Sequence, residues 1–234
     1  MDKRDPAIEF HERVSDIWSG LYSKKSSFGR RADLLTEFIE YSVAKIDVDK
    51  QHWLDAGCGA GNVTRLLVDN SLNVVGVDAS RGMLDHARAS IEDNSATFRH
   101  VETIADLPFE DQVFDGVMCS SVIEYVPDPV QCMNEISRVL KPGGILVLTV
   151  PSRGSLIRFV QKSVLAVNRL YSSRPKFEYI GHSSHVFSAM EIKRMLEQCG
   201  LQSLEFRLFA PLKWLPFNIK PLSSLFAIAA RKNA

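Results

Sequence analysis

The sequence predicts a doubly wound α/β domain: a mostly parallel seven-stranded sheet with an antiparallel last strand and a helical insertion. Three observations carry this. Short, apolar, β-branched runs alternate with helix-length segments between residues 52 and 150, the pattern of a parallel sheet wrapped on both faces. A glycine cluster at 57–61 sits where the first such run gives way to a helix. The chain then closes on a helix, a strand, a Pro-containing stretch and a strand, an ending that predicts a terminal hairpin.

The elements follow in order. Residues 7–45 place apolar side chains at helical spacing, for example Leu34, Leu35, Phe38 and Ile39, with a polar break at 23–29, which predicts two helices and a loop. Strands are predicted at 52–56, 73–77, 97–101, 113–119 and 145–150, and helices at 62–69, 81–92 and 128–140. A helix over 189–199 stops at Gly200, a residue suited to the left-handed C-terminal cap. Strands at 201–209 and 222–230 finish the chain. Residues 1–234 read as one domain: N-terminal helices (1–50), core (51–150), a lid or insertion (151–187), and a C-terminal helix and strand pair (188–234).

Composition narrows the class. Hydrophobic residues are 45% and charged residues 24%, which excludes a disordered or fibrous chain. Cys58, Cys119, Cys132 and Cys199 form no CxxC pair, so neither a zinc site nor a disulfide framework is expected, and reduced thiols fit a cytoplasmic protein. The opening residues carry no secretory pattern, and no apolar run reaches the length needed to span a bilayer. Net charge is zero but segregated. Residues 136–177 hold eight Arg and Lys and no acid, and residues 206–234 hold five and no acid. That asymmetry points to an anionic partner or surface for the C-terminal third.

The cofactor motif is Leu54-Asp55-Ala56-Gly57-Cys58-Gly59-Ala60-Gly61. Glycines at the tip of a first strand let the backbone turn tightly and approach a ligand, and Asp78, closing the second strand, reaches the vicinal hydroxyls of a ribose held there. A dinucleotide fingerprint would require Gly at position 62, which is Asn62, and the pair Tyr41 and Lys45 precedes the glycines. An NAD-binding oxidoreductase is therefore a poor fit. Further motifs follow in sequence: Leu107-Pro108-Phe109, Val113-Phe114-Asp115-Gly116-Val117, Tyr125-Val126-Pro127-Asp128 and Arg138-Val139-Leu140-Lys141-Pro142-Gly143-Gly144.

Taken in that order, these motifs resemble the class I methyltransferases that use S-adenosylmethionine, over about residues 50–150. The resemblance implies the Rossmann-like methyltransferase fold and assigns roles. Gly57 and Gly59 pass the methionine part of the donor, and Asp55 holds its amino group. Asp78 binds the ribose, Ala79 and Met83 flank the adenine, and Thr103 and Ile104 cover its edge. Many relatives have Asp where Thr103 stands. Cys119 and Ser120 lie beside the sulfonium, with a buried small hydrophobe as the other reading of Cys119. Within the family the chain is similar to the ubiquinone-biosynthesis O-methyltransferases, which act on catechol rings with polyprenyl tails. Ser121 and Tyr125 stand where that branch often has an acid and a histidine, so no metal is expected.

Methyl transfer from a sulfonium is an in-line displacement in which positioning supplies most of the rate. An oxygen acceptor needs one proton acceptor near the methyl, and Glu124, Tyr125, His182 and His185 are the candidates. The insertion adds a feature of its own. Leu156, Ile157, Phe159, Val160, Val164, Val167, Leu170 and Tyr171 fall on one helical face, flanked by Arg158, Lys162 and Arg169. Such a helix either lies in the interface of an anionic membrane, at its inner face, and serves an amphiphilic acceptor, or packs on the sheet as a lid. Trp214, Leu215, Pro216 and Phe217 would extend the same apolar edge. The basic segments interleave with aliphatic rather than stacking residues, so nucleic acid is not the expected partner, though tRNA remains the alternative acceptor. A non-catalytic binding module is disfavoured by the intact glycines and Asp78.

Overall fold

The computed structural model describes residues 5–22, 26–92, 94–172, 177–211 and 220–233. Arg174, Lys176, Lys213 and the 214–217 stretch named above lie outside them. The chain opens with α1 (Pro6–Trp18), a 3-10 turn (Ser19–Tyr22) and α2 (Ser27–Val43). The alternating core runs β1 (His52–Ala56), α3 (Asn62–Asp69), β2 (Asn73–Asp78), α4 (Arg81–Ser90), β3 (Ala96–His100), β4 (Phe114–Ser120), α5 (Pro129–Val139) and β5 (Leu140–Pro151). The insertion holds α6 (Leu156–Asn168) and α7 (Glu178–His182), and α8 (Ala189–Gln198), β6 (Leu201–Phe209) and β7 (Leu225–Lys232) follow.

Local chemistry sets the ends. Asp128 caps α5 by accepting from the Val130 and Gln131 amides, with Pro129 in the first turn. Ser188 and Glu191 form a reciprocal capping box on α8, and Gly200 at φ +71° lets the chain leave it.

The seven strands form one sheet in the order β3-β2-β1-β4-β5-β7-β6. β7 runs antiparallel to both β5 and β6, which makes it the reversed strand that the terminal hairpin predicts. Alternate residues feed opposite layers. Leu54, Val117 and Leu146 pack with α5 and α8, whereas Trp53, Met118 and Val147 pack with α2 and α3. One strand departs from expectation. β5 begins at Leu140, not at residue 145, because a register shift between Phe114 and Gly116 carries the Lys141–Gly144 stretch into the strand.

Connections leave β1 for β2 on one side and β4 lies on the other, so the order reverses between β1 and β4. At such a switch point the loops at the carboxyl ends of the strands diverge and open a crevice.

Candidate functional site

A cavity of about 370 Å³ fills that crevice. The turn after β1 supplies Asp55, Gly57 and Gly59. The end of β2 supplies Asp78 and Ala79, α4 supplies Met83, the loop after β3 supplies Thr103 and Ile104, and the end of β4 supplies Ser120. The sequence-predicted donor residues thus converge on one wall, with one exception. Cys119 is wholly buried in the layer that contains Val117, because adjacent strand residues point to opposite faces and only Ser120 turns to the cavity.

The glycine turn is held shut from behind. The Gly57 and Cys58 amides donate to the Val77 carbonyl at 2.8 and 2.9 Å, and the Gly59 amide donates to Asp78 at 2.8 Å. The Ser80 amide donates to the other oxygen of Asp78 at 2.8 Å. One carboxylate therefore ties the tip of β1 to the tip of β2. Gly57 sits at φ +77°, and a Cβ there would meet the Val122 side chain at 2.4 Å.

Asp55 is buried, accepts from the Thr64 hydroxyl at 2.7 Å and forms no ion pair among the described residues. Burial pushes its carboxyl up to about 7, against the Thr64 hydrogen bond. Burial also raises Asp78, against the amides of Ser80 and Gly59 and the charge of His11. A buried acid with no ion pair among the described residues, Asp55, beside half-buried Asp78 on the same cavity wall, fits a ligand that brings its own positive charge, as the amino group of S-adenosylmethionine does. Thr103 is less engaged: its hydroxyl accepts from the Ala105 amide at 3.1 Å, bracing the turn that carries Ile104.

A titration follows from Asp55. On the role that the resemblance implies for Asp55, a bound ammonium would hold the carboxylate ionised, and donor binding would release the proton that burial retains. S-adenosylhomocysteine affinity, measured by calorimetry, is expected to be full above about pH 7 and to fall by up to about tenfold per pH unit below it. Asp55→Asn removes that slope and weakens binding on the alkaline side. A profile that slopes equally in the variant would take the ammonium away from Asp55.

The N-terminal helices, which sequence patterning reads only as amphipathic, close the cavity. On α1, Glu12 accepts from the Ser80 hydroxyl at 2.5 Å and from the Gly82 amide, while Phe10 and Val14 pack on Ala60 and Met83. His11, Trp18, Tyr22 and Phe28 line the cavity roof. From α2, Arg31 enters beneath them. It is buried, donates to the Ser120 hydroxyl at 2.5 Å and to Thr149 at 3.3 Å, and its Nε has no partner. Arg31 and Asp55 both act on Tyr22, so the two opposite charges flank the same corner.

Glu124 also lines the cavity; it is 3% exposed, with one carboxylate oxygen buried and unpartnered. Burial raises it to about 7, while Arg31 and Arg158 pull the other way. Its backbone carbonyl accepts from the Ser184 and His185 amides, which pins the loop after β4 to the insertion. Tyr125 lines the same cavity, and burial carries its hydroxyl above the usual phenol range. The two histidines proposed as bases do not reach the cavity. His182 stacks on Phe10 at 4.7 Å between centroids, and His185 lies with a ring nitrogen 3.0 Å from the Val126 carbonyl. Arg158 is the converse case. It is expected to flank an outer face, yet it is 8% exposed and lines the cavity with Gln161, one turn further along α6.

The profile of a family described as a methyltransferase domain matches residues 54–148. A demethylmenaquinone methyltransferase of Staphylococcus aureus is 32% identical over 172 residues, 67% of this chain and 70% of that one. A ubiquinone biosynthesis O-methyltransferase of Rickettsia canadensis is 24% identical over 212 residues, 88% of this chain and 86% of that one. Among solved structures, the magnesium protoporphyrin IX methyltransferase of Synechocystis with bound S-adenosylhomocysteine superimposes with a TM-score of 0.69 at 16% identity, over 96% of both chains.

Proposed function

The chain belongs to the class I S-adenosylmethionine-dependent methyltransferases, and from that premise we propose that it methylates an oxygen of a small, amphiphilic acceptor whose proton passes to Glu124. The bound donor supplies an electrophilic methyl on a sulfonium. Everything else falls to the chain. Asp55 holds the ammonium and Arg31 the carboxylate of the donor's amino-acid end, Asp78 takes the ribose hydroxyls, and Ala79, Met83, Thr103 and Ile104 enclose the adenine.

The observation that carries the reading is Glu124. A carboxyl raised to about 7, buried among the residues that line the cavity and with one oxygen lacking a hydrogen-bond partner, is matched to accept a proton near neutral pH. An oxygen acceptor gives that group a task. One relative's name points the same way, an O-methyltransferase of ubiquinone biosynthesis; the demethylmenaquinone methyltransferase supports a quinone-like small acceptor without favouring oxygen.

The amphiphilic part rests on α6. Its outward residues are apolar: Phe159 is 70% exposed and Tyr171, just past its end, 85%, with Leu156, Val160, Val167 and Leu170 also exposed. Lys162 and Arg169 are exposed around them, and no acid lies between residues 136 and 177. An anionic lipid surface matches that combination, and it is where a tailed acceptor would be met. Among the described residues no helix is long and apolar enough to cross a membrane.

One experiment tests both parts. With methyl-labelled donor, label is expected in small phenols and extracted quinone precursors and not in tRNA, and anionic vesicles are expected to bind the protein and raise transfer to tailed acceptors, with added salt removing the effect. Label in tRNA alone would overturn the acceptor class. Equal binding to neutral vesicles would overturn the electrostatic contact.

A further inference from the structure

α6 is turned inside out relative to an ordinary surface helix. Leu156, Phe159 and Val160 point to solvent, while Arg158 and Gln161 are given to the cavity. A helix that merely covered the sheet would bury its apolar stripe. Beside Leu165, which is buried, the inner face thus presents polar groups to the cavity.

The guanidinium of Arg158 is held without a counter-ion. Its Nη2 donates weakly to the Ser183 hydroxyl at 3.4 Å, its Nε is buried with no partner, and no carboxylate lies within ion-pair distance among the described residues. The carboxylate that faces it is Glu124, which burial keeps half protonated around neutral pH. Arg31 offers a second cation at the same wall, since both arginines act on Glu124, Tyr125 and Tyr179, but Arg31 is committed to the donor's carboxylate beside Asp55. A buried guanidinium with nothing to pair is destabilising, so the site is complete only when an anion arrives.

We infer that the acceptor is an acid, and that its carboxylate seats against Arg158 on the inner face of α6. The inference rests on the methyltransferase reading of the same cavity and names its substrate class. Guanidinium geometry suits a carboxylate because two N–H groups can meet two oxygens in one plane. With the carboxylate anchored on α6, the methyl-accepting oxygen lies toward Glu124 and the donor wall. The carboxylate is the handle, and the acceptor's hydroxyl is the nucleophile.

The test uses the full chain saturated with S-adenosylhomocysteine and three probes: 4-hydroxybenzoate, its neutral isostere 4-hydroxybenzamide, and 4-hydroxyphenyl phosphate. Calorimetry is expected to show the acid binding at least about tenfold more tightly than the amide. Arg158→Gln abolishes the preference, Arg158→Lys keeps part of it, and both variants hold S-adenosylhomocysteine within about threefold of the parent protein. An acid and amide that bind equally, or a preference that survives Arg158→Gln, would overturn the inference while leaving donor binding intact. Binding of the phosphate in place of the acid would overturn the carboxylate assignment. Failure of the parent protein to bind S-adenosylhomocysteine would remove the methyltransferase reading itself, and this one with it.

Discussion

Glu124→Gln is expected to lower kcat by roughly 10²- to 10⁴-fold, the range that a positioned general base supplies, with S-adenosylhomocysteine affinity unchanged within about twofold. The amide fills the same volume and keeps the carbonyl oxygen, so packing is preserved while the proton acceptor is lost. In the parent protein kcat/KM falls as pH drops through about 7, because the carboxyl takes up a proton and stops accepting one. The variant lacks that limb. Stability is expected to move the other way. A carboxyl whose folded value lies above its unfolded one penalises the native state once pH rises past the unfolded value, and the full penalty is present above about pH 7. Glu124→Gln removes it, so the variant's Tm rises by a few degrees above neutrality and converges with the parent's in acid. Lower activity with higher Tm separates a catalytic role from a structural one. A kcat within about threefold of the parent's would mean that Glu124 is not the base.

The contrast between Asp55 and Arg158 shows what was legible in the sequence. Asp55, Gly57, Gly59 and Asp78 are fixed by local grammar. The strand that precedes the turn, the glycines that allow it and the acid one strand later lie within a short stretch, and β1 occupies the residues predicted for it. Ser120 and Cys119 could have been separated as well, since alternation along β4 sends Cys119 to the same side as Val117. Arg31, His11 and Trp18 were beyond such reasoning. They lie on helices that precede the core: the packing of α1 on Ala60 and Met83 places His11 and Trp18 on the cavity, and α2 brings Arg31 to Ser120 and Thr149. Arg158 turns to the cavity and not to the outer face that helical spacing predicts, for a related reason. Helical periodicity identifies an apolar face but not which face meets protein, and the ordinary assumption that the apolar one does fails on α6. The two histidines carry chemistry suited to a base, but their rings serve packing on Phe10 and a contact with a loop carbonyl.

Gly57→Ala is expected to destabilise the protein by about 2–5 kcal/mol and to weaken S-adenosylhomocysteine binding by more than about tenfold. Two costs combine. A residue with a Cβ at φ +77° gives up about 1–2 kcal/mol, and the methyl would overlap the Val122 side chain at 2.4 Å, an overpacking cost of about 1–3 kcal/mol. Relief is blocked on the other side, where the Gly57 and Cys58 amides are tied to Val77. Val122 would have to move, and it lies two residues before Glu124, so the same substitution displaces the base. Combining Gly57→Ala with Val122→Ala separates the terms. The second change removes the overlap and restores that part of the stability, whereas the left-handed backbone cost remains and donor affinity stays low, because it is set by the shape of the turn. Additive losses in the double variant would mean that the two side chains never compete for space. Full recovery of donor affinity would mean that the turn's conformation contributes nothing to holding the donor.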